Sequence, residues 1–398
     1  MRRLTSSILL TAALVLTLLA SPAQAAPARR IDYTSWDTPR ELRSGTLESL
    51  RVTGGRVALV PGADSGRWTS PWAGPGFGLT RLIASWSART PGDSRVTIEV
   101  RGRSGATSSS WDTLAVWASG DRFVRRTTDS GQADDLASVN VDTWVVPGGV
   151  RAYQLRVTLA RAAGQAASPS LDSVGAMSSL LPDTSDVATS RPGVGRGIVL
   201  DVPRYSQMVH RGHYPEYGAG GEAWCSPTST SMVLGYYDAL PAPAAYSWVP
   251  AGHVDPWVDH AARMTYDADY AGTGNWPFNT AYAAAQTGHA FVTRLRSLRE
   301  AERFIAAGVP LVASIAFGRG ELSGAPISAS AGHLLVIVGF TDTGDVVVND
   351  PAAATRAGVR RTYDRGQFED AWIPTSGGTV YVITDDAHPL PANSPGNW

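Results

Sequence analysis

The hydrophobic pattern changes part-way along this chain of 398 residues, and that change restricts its possible folds more than any other feature. From residue 27 to residue 181, short runs rich in Val, Ile, Leu and Trp recur between clusters of Gly, Pro, Ser and Asp. Several runs, such as residues 95–100, alternate polar and apolar side chains in the way that half-buried antiparallel strands do. We predict an all-β domain over residues 27–181, a β-sandwich of the jelly-roll kind.

The second part of the chain mixes helix and strand patterns. Residues 182–197 have no apolar periodicity and predict a linker. Residues 297–300 read Ser-Leu-Arg-Glu, a capping-box pattern that begins a helix, and apolar runs at 311–315 and 334–338 predict strands. We therefore predict an α+β domain over residues 198–385, followed by a frayed tail at 386–398.

Composition excludes several classes of function. The formal net charge of -1 at pH 7 argues against a nucleic-acid-binding protein and against a polybasic membrane binder. All 34 basic residues are Arg, so a catalytic Lys is excluded. The only cysteine is Cys225, which excludes an intrachain disulfide, a cysteine-based zinc site and an iron–sulfur cluster.

The first 25 residues have the anatomy of a secretory signal peptide. Met1-Arg2-Arg3 carries positive charge, residues 8–20 are apolar, and Ala23-Gln24-Ala25 offers small residues for cleavage. The apolar run is short for a transmembrane helix. We predict secretion to the extracellular space, with Ala26 as the new amino terminus and without a membrane anchor.

The lone cysteine stands where a helix is predicted to begin. Pro227 suits a first helical turn, and apolar residues recur at helical spacing after it. The free backbone N–H groups and the dipole of a helix amino terminus stabilise a thiolate and can donate to a developing oxyanion. This position favours a nucleophile over a buried inert thiol, which is the alternative explanation for a single cysteine.

A base and an orienting carboxylate follow from a predicted hairpin. His333 begins the strand at 334–340, a turn lies near Thr343-Gly344, and the return strand at 346–348 leads to Asp350. The start of the first strand and the end of the second strand meet at the same edge of a hairpin, so His333 and Asp350 are expected to lie close together. Each residue also has a simpler explanation: a histidine at a strand entry, and a turn aspartate before Pro351.

Four motifs over residues 198–385 give the chain a family resemblance. Their sequences are Val-Pro-Arg-Tyr-Ser-Gln at 202–207, Trp-Cys-Ser-Pro-Thr at 224–228, Gly-His-Leu-Leu-Val at 332–336 and Val-Asn-Asp-Pro at 348–351. In this order they resemble a papain-like cysteine peptidase, and more closely the bacteriocin-processing peptidases, family thirty-nine of the cysteine peptidases, and their stand-alone secreted relatives. The resemblance implies a papain-like fold for the second domain.

The resemblance also implies roles for individual residues. Cys225 would be the nucleophile, His333 the general base and acid, Asp350 the residue that orients His333, and Gln207 an oxyanion-hole donor. Two departures limit it. The better-known members cut after a double glycine and are fused to an export transporter, and neither property carries over to this chain. Ser226 also stands where many relatives have Gly.

Other candidate sites are weaker. We expect Trp224 to pack beside the nucleophile and to contact substrate. A metal site at His210, His213 and Glu216 is not favoured, because these residues lack the spacing of a helical His-Glu-x-x-His motif and are predicted to lie in a loop. A calcium site is not favoured either, because Asp267 and Asp269 do not fit a calcium-loop pattern. We predict no metal and no cofactor.

The function predicted from the sequence is hydrolysis of peptide bonds in a peptide or protein outside the cell. A papain-like amidase or acyl transferase acting on cell-wall peptides would use the same residues and stays open. A third possibility is a non-catalytic secreted binding protein in which the first domain carries the function. Trp68, Trp72 and Trp86 would then offer a platform for cell-wall or other carbohydrate.

Overall fold

The computed structural model describes residues 28–183, 187–393 and 395–398, and these residues form mostly β-sheet with a few helices. The signal peptide predicted at 1–25 lies outside the described residues. The first part of the chain contains one short helix, α1 (Pro39–Leu42), and thirteen strands in the described residues: β1 (Arg30–Trp36), β2 (Thr46–Glu48), β3 (Leu50–Thr53), β4 (Arg56–Leu59), β5 (Ser65–Thr69), β6 (Leu79–Arg89), β7 (Arg95–Ser104), β8 (Thr107–Ser108), β9 (Asp112–Trp117), β10 (Ser138–Asn140), β11 (Thr143–Val150), β12 (Ala152–Ala160) and β13 (Ser170–Leu180).

These strands form two antiparallel sheets. The first sheet has the order β10-β11-β6-β13-β4-β3, with β1 also paired to β13. The second has the order β2-β5-β12-β7-β8, with β9 also paired to β7. Gly102 of β7 lies against Trp144 and Val150 of β11, and a Cβ atom at this glycine would overlap both side chains. The two sheets therefore approach each other closely at this point.

The second part of the chain combines one six-stranded sheet with helices. Its antiparallel sheet, which we call the third sheet, has the order β14-β19-β15-β16-β17-β18. Short 3-10 helices occupy Gln207–His210, Gly221–Ala223, Pro243–Tyr246 and Arg356–Gly358. The other elements are α2 (Cys225–Tyr236), α3 (Pro256–Thr265), α4 (Trp276–Thr287), β14 (His289–Arg294), α5 (Leu298–Ala306), β15 (Leu311–Phe317), β16 (Ser330–Phe340), β17 (Val346–Asn349), β18 (Arg360–Tyr363), α6 (Arg365–Ser376) and β19 (Thr379–Thr384).

Strand β6 shows how the two parts pack together. In β7 buried and accessible residues alternate, as expected for a strand with one solvated face. In β6 every residue from Leu82 to Ala88 is buried. Trp86 of β6 packs edge to face against Phe278 of α4, with ring centroids 6.2 Å apart, and the Val292 N–H donates to Ser85 Oγ at 2.9 Å. One face of β6 thus belongs to the first part and the other to the second.

Polar contacts reinforce this packing. The buried carboxylate of Asp267 accepts hydrogen bonds from the Thr128 N–H at 3.0 Å and from the Thr128 hydroxyl at 2.8 Å. The Arg263 Nε donates to Asp121 Oδ2 at 2.6 Å. Asp267 is therefore a structural acceptor between the two parts of the chain, and a buried acceptor of this kind is costly to leave without its donors.

The segment between the two parts and the carboxyl-terminal residues are both packed. Ser190 Oγ donates to Glu369 Oε1 at 2.6 Å, and the Gly195 N–H donates to Glu302 Oε2 at 3.1 Å. The Trp398 ring lies 4.9 Å from that of Phe304, and Asn397 is fully buried. Residues 395–398 therefore do not fray as the sequence suggested, because they contact the second part through an aromatic side chain and a buried amide.

Within the described residues, no helix has both the length and the apolar character needed to cross a membrane. Trp68 and Trp86 are buried, with relative exposures of 0% and 2%. The three tryptophans considered as a sugar platform therefore do not form one exposed surface.

We expect Phe278→Ala to lower the free energy of unfolding by about 3–5 kcal/mol, because it removes a buried ring and leaves a cavity between Trp86 and Trp117. Urea unfolding followed by tryptophan fluorescence measures the change. Phe123→Ala is the matched control, since Phe123 is 59% exposed, and it should change stability by less than about 0.5 kcal/mol. Equal effects of the two substitutions would contradict the packing described for β6 and α4.

Candidate functional site

Cys225 is the first residue of α2 and is partly accessible to solvent. The 3-10 turn Gly221–Ala223 leads into the helix, and Gly220 before it adopts φ 102°, a value that favours glycine. A Cβ atom at Gly221 would overlap the His210 carbonyl, so this turn can pack only with glycine there. The two glycines therefore fix the direction from which the chain enters α2.

Helix α2 is buried along most of its length although it is rich in hydroxyl groups. Ser226 Oγ and the Tyr381 hydroxyl lie 2.8 Å apart, Ser229 Oγ donates to the Leu334 carbonyl at 3.2 Å, and Thr230 Oγ1 donates to Asn279 Oδ1 at 3.2 Å. These bonds join α2 to the third sheet and to α4. They hold the amino terminus of the helix, and with it Cys225, at the end of strand β16.

The structure brings Cys225, His333 and Asp350 together. His333 Nε2 lies 2.8 Å from Asp350 Oδ1, and the Cys225 side chain is close enough to the same imidazole to raise its pKa. His333 and Asp350 are buried, with relative exposures of 2% and 0%. Because Nε2 faces the carboxylate, Nδ1 is the ring nitrogen left for the sulfur. The three groups therefore lie together, and of the three the thiol is the one that is accessible to solvent.

The surroundings of His333 favour its charged form. Burial alone would lower the pKa of His333, but the Asp350 carboxylate and Cys225 outweigh it and raise that pKa to about 10. At neutral pH the ring is then an imidazolium, which stabilises a neighbouring thiolate. For Asp350 the directions are reversed. Burial alone would raise the pKa of this carboxyl group, but His333 and the Tyr363 hydroxyl bring it below its usual value.

Tyr363 is a site residue that sequence reasoning missed. Its hydroxyl donates to Asp350 Oδ2 at 2.7 Å, and the Ala352 N–H donates to Oδ1 at 3.0 Å. Tyr363 ends β18, which pairs with β17 directly before Asp350. The sequence carries no local signal for this contact, because it depends on a third strand added to the predicted hairpin.

Gln207 lies beside the loop that enters α2. Its backbone N–H donates to the Pro351 carbonyl at 2.9 Å, and its side-chain Nε2 donates to the Glu222 carbonyl. An amide NH₂ group has two hydrogens, so one donor stays available. Its Oε1 is buried and has no partner among the described residues. The structure thus holds the side chain against the segment three residues before Cys225.

Trp224 is fully buried and does not line the cleft. Its Nε1 donates to the Tyr217 carbonyl at 2.6 Å, and its ring centroid lies 6.0 Å from that of His210. The indole is therefore packed in the interior beneath the turn that precedes Cys225. Contact with a substrate would require this side chain to become exposed.

The histidines near the site converge on Asp259, which the sequence analysis did not select. His210 Nδ1 lies 3.0 Å from Asp259 Oδ2, and His213 Nδ1 lies 2.8 Å from Oδ1. The donor atoms of these three residues are all within 4.8 Å of one another, close enough to hold a metal ion. Glu216, which the sequence placed beside them, is exposed. Direct imidazole–carboxylate hydrogen bonds satisfy Asp259 without an ion.

A cleft of about 680 Å³ opens beside Cys225. Tyr270, Ser314, Ile315 and Leu334 line it from the second part of the chain. The thiol therefore faces a space large enough for several residues of an extended peptide.

Two family models match the chain. Residues 32–179 match the model described as Peptidase C39 N-terminal domain, and residues 199–380 match the model described as Peptidase_C39 like family. A comparison with curated proteins found no match. The second match includes Cys225 and the residues that contact it.

We expect Cys225 to react with iodoacetamide at pH 6 much faster than a free thiol does, because the His333 imidazolium stabilises the thiolate. Asp350→Asn removes the charge that holds the imidazolium and should slow the reaction by about tenfold or more. Mass spectrometry of the intact chain follows the adduct, since the protein has only one cysteine. Asp342→Asn, an exposed change in the turn after β16, is the control and should leave the rate unchanged. A wild-type rate equal to that of a free thiol would contradict the ion pair.

Proposed function

Because the chain belongs to the C39 family of cysteine peptidases, we propose that it hydrolyses peptide bonds through a thioester formed on Cys225. The observation that carries the proposal is the placement of Cys225 beside His333, whose Nε2 contacts the buried carboxylate of Asp350. Cys225 lies at the amino terminus of α2 and lines the cleft.

In the first half of the proposed reaction, the Cys225 thiolate adds to the carbonyl carbon of the scissile bond. The C–N bond then breaks, the His333 imidazolium gives its proton to the leaving amine, and a thioester remains on the sulfur. In the second half, His333 takes a proton from water, the resulting oxygen nucleophile attacks the thioester, and the C–S bond breaks. The products are a carboxylic acid and an amine, and the thiolate–imidazolium pair is restored.

Asp350 has the role of a positioning residue in this proposal. Its two oxygens accept from His333, the Tyr363 hydroxyl and the Ala352 N–H, so the carboxylate cannot rotate without losing a bond. The ring of His333 is therefore held with Nδ1 towards the sulfur. This geometry supports the same ring acting as acid and base in succession.

Gln207 and the helix amino terminus supply the proposed oxyanion hole. Cys225, as the first helical residue, contributes a backbone N–H that has no acceptor within its own helix. The second N–H of the Gln207 amide, whose first donates to the Glu222 carbonyl, is the other donor. Donors fixed before the reaction stabilise the tetrahedral oxyanion without reorganising.

We assign the two sheets of residues 27–181 to a β-sandwich accessory domain, residues 182–197 to a linker and residues 198–385 to an α+β papain-like domain. We also propose that residues 1–25 direct secretion, so that the substrate is a peptide or protein outside the cell. Secretion is measured as the fraction of the protein found in the culture medium, compared between a chain that carries residues 1–25 and a chain that lacks them.

We expect Cys225→Ala to abolish cleavage of a peptide library, with a loss of at least about a thousandfold in kcat/KM. Circular dichroism and the melting temperature of the variant verify that it folds. The products distinguish the reactions: free new amines without incorporation of an added amine acceptor support hydrolysis, and incorporation of the acceptor supports a transferase. Activity retained by Cys225→Ala would overturn the mechanism.

We expect Gln207→Ala to lower kcat by about a hundredfold to a thousandfold with little change in KM, because an oxyanion donor acts in the transition state. Steady-state kinetics on one cleaved peptide measures both constants. Gln165→Ala, at an exposed position in the first domain, is the matched control. A change confined to KM would show that Gln207 binds substrate and is not an oxyanion donor.

A further inference from the structure

The cleft beside Cys225 is lined by both parts of the chain. Asn140, Val141 and Thr143, at the turn between β10 and β11, form a wall opposite the second domain, and Arg81 of β6 extends this wall. A peptide bound across Cys225 would therefore touch the first domain as well as the second. This gives the first domain a direct contact with substrate, separate from its structural role.

One end of the cleft contains a buried cation without a carboxylate partner. Arg294 of β14 is 2% exposed, its Nη1 donates to Ser179 Oγ at 2.6 Å, and its Nε lies 3.4 Å from Thr379 Oγ1. Among the described residues, Arg294 forms no ion pair with a carboxylate. Its partners are neutral hydroxyl groups, and a buried charge without an opposite charge is costly to maintain.

Two more guanidinium groups lie close to this buried cation. Burial, with smaller contributions from the charges of Arg81 and Arg29, lowers the pKa of Arg294 to about 9. The opposing group is Asp142, whose carboxylate lines the same cleft and already accepts from the Trp276 N–H at 3.0 Å and the Thr143 hydroxyl at 3.1 Å. Of the charged residues that line the cleft, the two arginines, Arg81 and Arg294, outnumber the one carboxylate, so this end of the cleft attracts anions.

The strand register gives the distance from this cation to the reactive centre. Arg294 pairs with Thr379, and Ser314 pairs with Leu334, the neighbour of His333. Ala313 pairs with Val380, which places the next residue, Ser314, opposite Thr379. The row across β14, β19, β15 and β16 is therefore Arg294, Thr379, Ser314 and Leu334. Strands are about 4.8 Å apart, so the backbone of Arg294 lies about 14 Å from that of Leu334, the residue after His333. An extended peptide covers that distance with about four residues.

We propose that Arg81 and Arg294 form a subsite for a carboxylate of the peptide substrate, about four residues from the scissile bond. The inference rests on the proposed peptidase function, and it adds a substrate class to it. The carboxylate comes from an acidic side chain or from a free carboxyl terminus. The fork of an arginine binds either one through two parallel hydrogen bonds, and the exposed Arg81 completes the pair from the first domain.

The test uses a peptide that the wild-type protein cleaves, remade in three forms. In the first form, Asp stands four residues from the cut and the carboxyl terminus is amidated. The second form has Asn at that position, and the third ends at that position with a free carboxylate. The first two forms are made for both sides of the cut, and the third is made only for the side towards the carboxyl terminus. We expect kcat/KM to be about tenfold to a hundredfold higher with a carboxylate than with Asn on one side of the cut.

Two variants and a control locate the effect. Arg81→Gln and Arg294→Gln should each reduce the ratio of kcat/KM for the Asp peptide to that for the Asn peptide at least about fivefold. Arg81 is exposed, so its variant keeps the test valid if Arg294→Gln does not fold. Arg89→Gln, at the far end of the same strand β6, is the matched control and should keep the full preference. Equal kcat/KM for all three peptides would overturn the subsite and leave the peptidase proposal intact.

A binding assay separates failure of the subsite from failure of the peptidase proposal. Pools of random eight-residue amidated peptides, each with a neutral fluorophore and a fixed Asp or Asn, are titrated with the Cys225→Ala protein. Tighter binding of the Asp pool that is lost in Cys225→Ala/Arg81→Gln supports the subsite even if the wild-type protein cleaves nothing. Equal binding of the two pools, or binding of neither, overturns it.

Discussion

The buried carboxylate of Asp350 is the group on which the candidate site depends. It accepts hydrogen bonds from His333 on β16, from Tyr363 on β18 and from the backbone of Ala352 in the turn after β17, so one charge joins two strands and a turn. A carboxylate buried to this extent is stable only when its oxygens are satisfied and an opposite charge is near. The imidazolium of His333 supplies that charge. The need to compensate a buried anion and the need to keep His333 protonated are met by the same contact.

The two parts of the chain share structural elements to a degree that their separate family matches do not suggest. Strand β6 belongs by pairing to the first sheet, yet it covers α4 and β14 of the second part. Asp267 of the second part is satisfied by Thr128 of the first. Such an interface fixes the relative position of the two parts, because separating them would expose aromatic surface and leave polar groups without partners. A cleft with walls from both parts then has a defined shape.

Short-range features were well predicted from the sequence. The alternating run at 95–100 lies within β7, the apolar run at 334–338 lies within β16, and Cys225 begins a helix as its neighbours indicated. The pairing of His333 with Asp350 followed from hairpin geometry, which needs only two adjacent strands and a turn. These predictions succeeded because each depends on residues that are close together in the sequence.

The features that the sequence did not indicate all involve distant residues. Ser297 precedes α5 as the capping-box pattern predicted, but the Leu298 N–H donates to Glu369 Oε1 at 2.7 Å, and the Ser297 side chain makes no cap. Tyr363 and Asp259 reach their partners through strand order and helix packing, for which one sequence has no local pattern. Tryptophans that form a core and tryptophans that form a surface also look alike in a sequence, and the burial of Trp68 and Trp86 required the sheets to be known.

The hydroxyl-rich helix α2 has a consequence for the order in which this protein is assembled. The Ser226 hydroxyl lies next to the Cys225 thiol in sequence, but its partner is Tyr381 on β19, 155 residues further along. Tyr237, directly after the helix, donates to the Ile383 carbonyl of the same strand. During synthesis the cysteine leaves the ribosome long before the strand that fixes its helix. The helix that carries the thiol therefore lacks these two contacts until the last strand of the sheet has been synthesised.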